Sequence, residues 1–481
     1  MPDTDLCDLD AVELRRRIGS KEISPVELLE SCIARIEAVN PVLNAVVATC
    51  IERAREEARA AEKAVLLGED LGLLHGLPLG IKDLNLTEGL RTTFGSLLYE
   101  DHVPEADERM VASLRDEGAV LLGKTNTPEF GAGANTRNKV YGATGNPFDP
   151  DLTCGGSSGG TAVALATGMM PLATGSDFGG SLRTPAGFCG IVGFRPSPGV
   201  VPDEDRAVGL SPLPVQGPMG RTVADTALLL AAQADWDLRD PFSAAPDPAL
   251  GEAPAPLDLS GLRVAVSEDL GCAPLDDGIR EVFRARMARL APAFAASEAQ
   301  DPDLGPVHEV FEILRGVNFV AAHKERVEQH RDLLGPNVVD NVERGLVYTA
   351  ADIAWAHVEQ SKLYRRFLAL LEDFDVLICP ACSVPPFPHE QLYVAEINGR
   401  PMDTYMRWLA ITYGITMTTH PVAVLPCGRD KQGLPFGIQV VGRYQDDATL
   451  LRIAAALERH MADLPDLARP LPDLSQLQAQ E

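Results

Sequence analysis

The sequence predicts an α/β protein with a buried mixed sheet. From Leu77 onward, short apolar runs bounded by Gly and Pro alternate with helical stretches. PLGI, AVLL (119–122) and MMPLAT (169–174) are such runs; 107–117 and 160–167 are such stretches. A second observation is the segment Thr153 to Phe194, where eight glycines and four serines fall between Gly155 and Ser181. They form two tight clusters separated by an apolar run that can pass through the core, so two hydroxyl-bearing turns are held at fixed positions.

In chain order, Asp10 and Ser24 each offer a capping oxygen with a carboxylate three residues on, and Pro25 suits a first helical turn. Helices are predicted from these starts, the second running from Pro25 to about Val39, and a third from about Leu43 to Val65. Residues 236–260 hold five prolines and read as a surface connection. Strands are predicted at 262–268, 374–380, 421–428 and 433–442, and helices at 278–299, 307–332, 350–373 and 448–460. The tail after Met461 is polar and broken by proline.

The 42 basic and 69 acidic residues leave a net charge of −27, which repels nucleic acid and anionic membrane surfaces. No segment reads as a leader peptide, and no run approaches the ~20 apolar residues of a membrane span. Nine irregularly spaced cysteines fit reduced thiols, so a cytoplasmic protein is expected. The expected partner is a small-molecule substrate, and the chain is expected to act as a monomer or homodimer.

Three motifs compete for the chemistry. Gly118 to Thr125 matches the phosphate-loop pattern by letter, but a helix precedes it, AVLL fills the loop positions and Pro128 follows. Gly155 to Gly159 matches the nucleophile-elbow pattern, which needs a later acid and histidine; His389 and His420 both lie beside prolines, outside any catalytic-loop pattern. Cys379 and Cys382 lack a second pair and end a predicted strand, which fits two buried thiols better than zinc or redox chemistry. No metal or cofactor is called for.

Lys82 with Ser157 and Ser181 remains. A lysine can deprotonate a serine near neutral pH only if burial holds it largely neutral, and PLGIKD supplies apolar walls. A helix beginning near Gly159 would turn its positive end toward the serines and disfavour the ammonium. Asp177 to Ser181 adds consecutive backbone N–H groups able to meet a tetrahedral oxyanion.

GIKD, LLGKTNTPEF, CGGSSGGTAVALATG and TGSDFGGSLRTPAGFCGIVGFRP together resemble the amidase signature enzymes, in the family's order, from about Leu9 to His460. The resemblance implies Ser181 as nucleophile, Ser157 as a bridging serine after a cis peptide bond, and Lys82 as base. It implies an oxyanion hole at Phe178, Gly179, Gly180 and Ser181, with Ser158, Asp177 and Arg183 in support. The implied fold is one compact α/β/α unit with a large central mixed sheet. Residues 1–65 would be a helical segment packed on the core, 66–465 the catalytic domain and 466–481 a tail.

By the same resemblance, Gly131, Ala132, Gly133 and Ala134 line the acyl cleft and leave room for a bulky substrate, with Trp355, Tyr405, Trp408 and Tyr413 as candidate covers. Such a cleft is similar to that of members cleaving aryl acylamides, and carbamates require the same attack. Phe178 stands where the tRNA amidotransferase subunit usually carries threonine, and TTHPV (418–422) replaces that subunit's usual strand entry. Both argue against a tRNA-amidating subunit, the alternative reading alongside an inactive binding scaffold.

Overall fold

The computed structural model describes residues 4–478. At its centre is an 11-stranded mixed sheet. Its strands are β1 (Val46–Thr49), β2 (Pro78–Lys82), β3 (Val120–Thr125), β4 (Leu172–Asp177), β5 (Val192–Arg195), β6 (Val215–Gly220), β7 (Arg263–Val266), β8 (Ala296–Ala299), β9 (Val376–Pro380), β10 (Val422–Arg429) and β11 (Pro435–Val441). Their order is β1-β3-β2-β4-β6-β5-β10-β11-β9-β7-β8. β2 runs parallel to β3 and β4, β7 is parallel to β8 and β9, and the other pairs are antiparallel. Three two-stranded ribbons lie outside it.

Every residue of β2, β3, β9 and β11 is buried, as expected where helices cover both faces of a sheet. The helices are α1 (Ala11–Gly19), α2 (Pro25–Leu43), α3 (Ile51–Leu67), α4 (Arg109–Asp116), α5 (Gly159–Ala166), α6 (Arg183–Cys189), α7 (Val223–Gln233), α8 (Asp277–Leu290), α9 (Val307–His330), α10 (Pro336–Val347), α11 (Ala350–Asp373), α12 (Ala410–Thr416) and α13 (Asp447–Ala462). α5 and α6 pack on each other, while α7 packs with α1, α4 and α13 over the same central strands. One apolar cluster extends from Leu6 to Leu477.

Several expectations need correction. The capping box at Ser24 forms, with Glu27 reaching back, but the Asp10 side chain caps nothing, and Glu13 instead pairs with Arg16 and Arg17. The helix expected over 43–65 begins only at Ile51, because Asn44 ends α2 in a left-handed turn and the chain then joins β3 as an edge strand. The helix expected over 278–299 stops at Leu290; Pro292 follows, and 296–299 pairs with β7 as the opposite edge. Both edge strands are four residues long and depend on a partner far away in sequence, so local pattern could not announce them. The sequence signals no element at α7, α10 or α12, whose apolar residues serve tertiary packing. Over 236–260 there are only two short 3₁₀ turns, as the prolines imply.

Candidate active site

Lys82 ends β2, and Ser176 and Asp177 end the parallel neighbour β4, so both emerge at the carboxyl edge of the sheet. Binding sites of α/β sheets form at this edge. Ser157 and Ser158 lie in the turn that opens α5, where the Gly156–Ser157 peptide bond is cis, and Ser181 lies in the turn that opens α6.

Lys82 is fully buried, and its Nζ lies 2.8 Å from Ser157 Oγ, 2.8 Å from Ser158 Oγ and 2.9 Å from Ser176 Oγ. Burial pulls its pKa down to about 7, against the opposing pull of the Asp177 charge. That opposition is weak because Asp177 is itself claimed by two guanidiniums. Arg183 Nε and Nη2 reach its two carboxylate oxygens at 3.0 Å each, and Arg195 Nη1 reaches Oδ1 at 3.2 Å. Burial alone would raise the Asp177 pKa, but the two arginines hold it well below the usual carboxylate range.

A neutral lysine amine has two hydrogens to donate and one lone pair to accept with. The Ser158 hydroxyl is directed at Ser176 O (3.3 Å), so Ser158 Oγ accepts from the amine. One hydroxyl hydrogen, from Ser157 or Ser176, can then point at the lone pair. Of those two, Ser157 adjoins Ser158, whose N–H donates to Ser181 O.

Ser181 is half-buried, and Ser158 N donates to Ser181 O at 3.2 Å, which keeps the two turns side by side. No hydrogen bond joins Ser181 Oγ to Ser157 Oγ in this structure; contacts of this kind commonly tighten only when substrate binds. The expected oxyanion donors divide. Gly180 N donates to Asp177 Oδ1 at 2.9 Å and is already engaged, whereas the N–H groups of Phe178, Gly179 and Ser181 make no hydrogen bond among the described residues.

Gly131 borders the same space, since a Cβ there would lie 3.3 Å from Ser157 Oγ. Gly133 faces Asn337, and Ala132 packs with Phe319, Val338 and Val342. The Ser181 turn is flanked by aromatic rings: a Cβ on Gly179 would lie 3.2 Å from Phe311 Cζ, Phe178 lies edge-on to Phe311 at 6.2 Å, and Phe311 stacks on Tyr413 at 4.1 Å. Of the other candidate covers, Tyr405 is buried, Trp408 packs edge-on to Phe387 and Trp355 stands exposed on α11.

The rival motifs do other work. Gly123, Lys124 and Thr125 lie within β3, not in a loop, and Lys124 Nζ bonds Asn85 O and Thr87 Oγ1. His420 bonds Thr418 O through Nδ1 and packs on Phe367; neither it nor His389 makes a side-chain hydrogen bond to Ser157 or Ser181. Cys379 and Cys382 are buried free thiols. Sequence reasoning missed Ser176 and Arg195, although both lie within or beside the Gly/Ser segment and strand alternation could have placed Ser176 opposite Asp177.

The family model "Amidase" matches residues 27–451. The chain belongs to the amidase signature family. This amidase is 34% identical over 461 residues to an acylamidase of Rhodococcus erythropolis, a match spanning 95% of this chain and 96% of that one. It is 33% identical over 477 residues to a glutamyl-tRNA(Gln) amidotransferase subunit from Thermosynechococcus vestitus, spanning 93% and 97%. Among solved structures, a bacterial aryl acylamidase of the same family superposes with a TM-score of 0.87 at 29% identity, over 96% of this amidase and 99% of that chain. The α/β fold with its mixed sheet is therefore that of the family, and the enzyme is a hydrolase of C–N bonds.

Proposed function

We propose that this enzyme is a serine amidohydrolase that works through an acyl-enzyme on Ser181. One observation carries the proposal: a fully buried lysine amine, its pKa near 7, held by serine hydroxyls beside a turn of uncommitted backbone N–H groups. Ser181 Oγ attacks the amide carbonyl, its proton passes to Ser157, and the Ser157 proton passes to Lys82. Phe178, Gly179 and Ser181 amides face the developing oxyanion, where one such donor is worth ~3–4 kcal/mol. The relay then runs backward, protonating the departing amine, and water releases the acyl group by the same route. With a carbamate, the released acid would lose carbon dioxide.

A bulky or aryl amide is the favoured substrate, supported by the small residues at Gly131 to Gly133, by the aromatic rings beside the Ser181 turn, and by similarity to an acylamidase and an aryl acylamidase. The amidotransferase relatives support a second reading, an ammonia-delivering subunit that needs glutamine and partner chains. Purified chain alone is expected to hydrolyse a nitroanilide without glutamine. Ser181→Ala is expected to lose on the order of 10⁴ in kcat and all labelling by a serine-directed phosphonate. Labelling that persists in Ser181→Ala removes Ser181 as the nucleophile; turnover seen only with glutamine and added partners establishes the second reading.

A further inference from the structure

Helix α9 carries Phe311, Arg315, Phe319, His323 and Arg326 at spacings of three and four, which puts them along one face. This face runs from the turn holding Gly179 to the segment holding Phe130 and Gly131. At one end, Phe311 approaches the oxyanion turn, since a Cβ on Gly179 would lie 3.2 Å from its Cζ. At the other, His323 packs 4.6 Å from Phe130, the neighbour of Gly131. Arg315 sits between, 4% exposed, its guanidinium carbon 4.5 Å from the Phe319 ring centroid and 5.2 Å from that of Phe178.

Its hydrogen-bonding capacity is only partly used within the protein. Arg315 Nε donates to Asn341 Oδ1 at 2.9 Å and Nη2 to Tyr405 OH at 3.1 Å, which uses two of its five N–H hydrogens. Asn341 Nδ2 donates to Asn337 O at 2.7 Å and also to Tyr405 OH. The Tyr405 oxygen thus accepts twice, and its own hydrogen has no acceptor among the described residues. Arg315 forms no ion pair among those residues either, and Glu312, one turn before it on α9, pairs with Arg407 instead, in a chain with 69 acidic side chains. Arg326, further along the face, donates to Tyr99 OH at 3.1 Å and also has no carboxylate partner there. His323 adds no counter-charge: burial, with Arg326 and Arg315 beside it, pulls its pKa down to about 3 and keeps it neutral.

A nearly buried guanidinium with no anion beside it is costly unless a ligand supplies one. Aromatic faces offset part of that cost, but they do not accept the free N–H and O–H hydrogens. We propose that Arg315 and the Tyr405 hydroxyl anchor a carboxylate carried by the substrate, so that the enzyme prefers amides bearing an acid group to their neutral analogues. This deepens the amidohydrolase reading and rests on it. A bidentate guanidinium–carboxylate pair would use the free Nη hydrogens, and Tyr405 would donate to the same anion.

The test compares kcat/KM for two acid and ester pairs: succinyl 4-nitroanilide with its methyl ester, and 4-acetamidobenzoate with its methyl ester. The first pair carries the acid on the acyl side and the second on the amine side, so the favoured pair also locates the anchor. Wild type is expected to favour the acid in one pair by about ten- to hundredfold, the size of one charge-assisted hydrogen bond. In Arg315→Met that acid-to-ester ratio should fall to near one, and in Tyr405→Phe it should fall part of the way. Preference for the ester in both pairs, or an acid preference that survives Arg315→Met, overturns the inference while leaving the hydrolase intact. Equal losses on acid and ester in both variants would make Arg315 a packing residue and also overturn it. Failure of wild type to hydrolyse any of the four, with no phosphonate labelling of Ser181, would remove the hydrolase reading and this one together.

Discussion

On the proposed mechanism Lys82 serves as base by losing its charge, and that has measurable consequences. With a pKa of about 7 the amine is free to accept a proton only above that pH, so kcat/KM should climb through pH 7 to an alkaline plateau. A profile that is flat from pH 6 to 9 would remove Lys82 as base. The same depression acts on stability. Between about pH 7 and the ordinary lysine value near 10.4 the unfolded chain holds more protons than the folded one, so this group's contribution to stability rises with pH over that window. Asp177, also depressed, works in the same sense but in an acid window. Its carboxyl is held low by Arg183 and Arg195, so its stabilisation is present above the ordinary value near 4 and drains as pH falls toward the depressed one. Asp177→Asn leaves two buried guanidiniums without their anion and also weakens the acceptor for Gly180 N. The expected cost is about 3–5 kcal/mol in urea unfolding, with activity lost even where the variant stays folded.

At the scale of elements, the turn before α6 is shaped by close packing. Gly180 has φ +129°, and a Cβ there would lie 2.3 Å from Thr412 Oγ1 on α12. Gly180→Ala should therefore lower Tm and displace the Phe178, Gly179 and Ser181 amides, with the loss appearing mainly in kcat if, as proposed, those amides meet the oxyanion. Unchanged kcat in a folded Gly180→Ala protein would mean that the turn does not bind the oxyanion. α5 has a similar constraint. A Cβ on Gly160 would lie 2.2 Å from Asn126 N, so Gly160→Ala must push the helix, and Ser157 with it, away from β3. Overpacking of this kind costs roughly 1–3 kcal/mol or more, readable as a drop in Tm.

For the whole molecule, the apolar cluster from Leu6 to Leu477 ties both ends of the chain to one core. Leu28, Leu29 and Cys32 of α2 are fully buried, and β1 closes the edge beside β3. Removing residues 1–65 is expected to abolish folded protein; a truncated chain that remained folded and active would make this segment an accessory. The sequence by itself determined the fold class, most long helices, the central strands other than β5 and β6, and the residues around Lys82, Ser157 and Ser181, because each of these carries a local signature: helical periodicity, a continuous apolar run, or a Gly/Ser cluster. Tertiary structure alone decided the rest. The edge strands β1 and β8 exist through pairing across more than seventy residues in one case and about thirty in the other. The commitment of the Gly180 amide to Asp177, the arrival of Arg195 beside that carboxylate, and the placement of Arg315 against Phe178 all join segments whose separation in sequence carries no local mark. Hydrogen-bond satisfaction and charge balance are properties of neighbours in space, and only the folded chain brings those neighbours together.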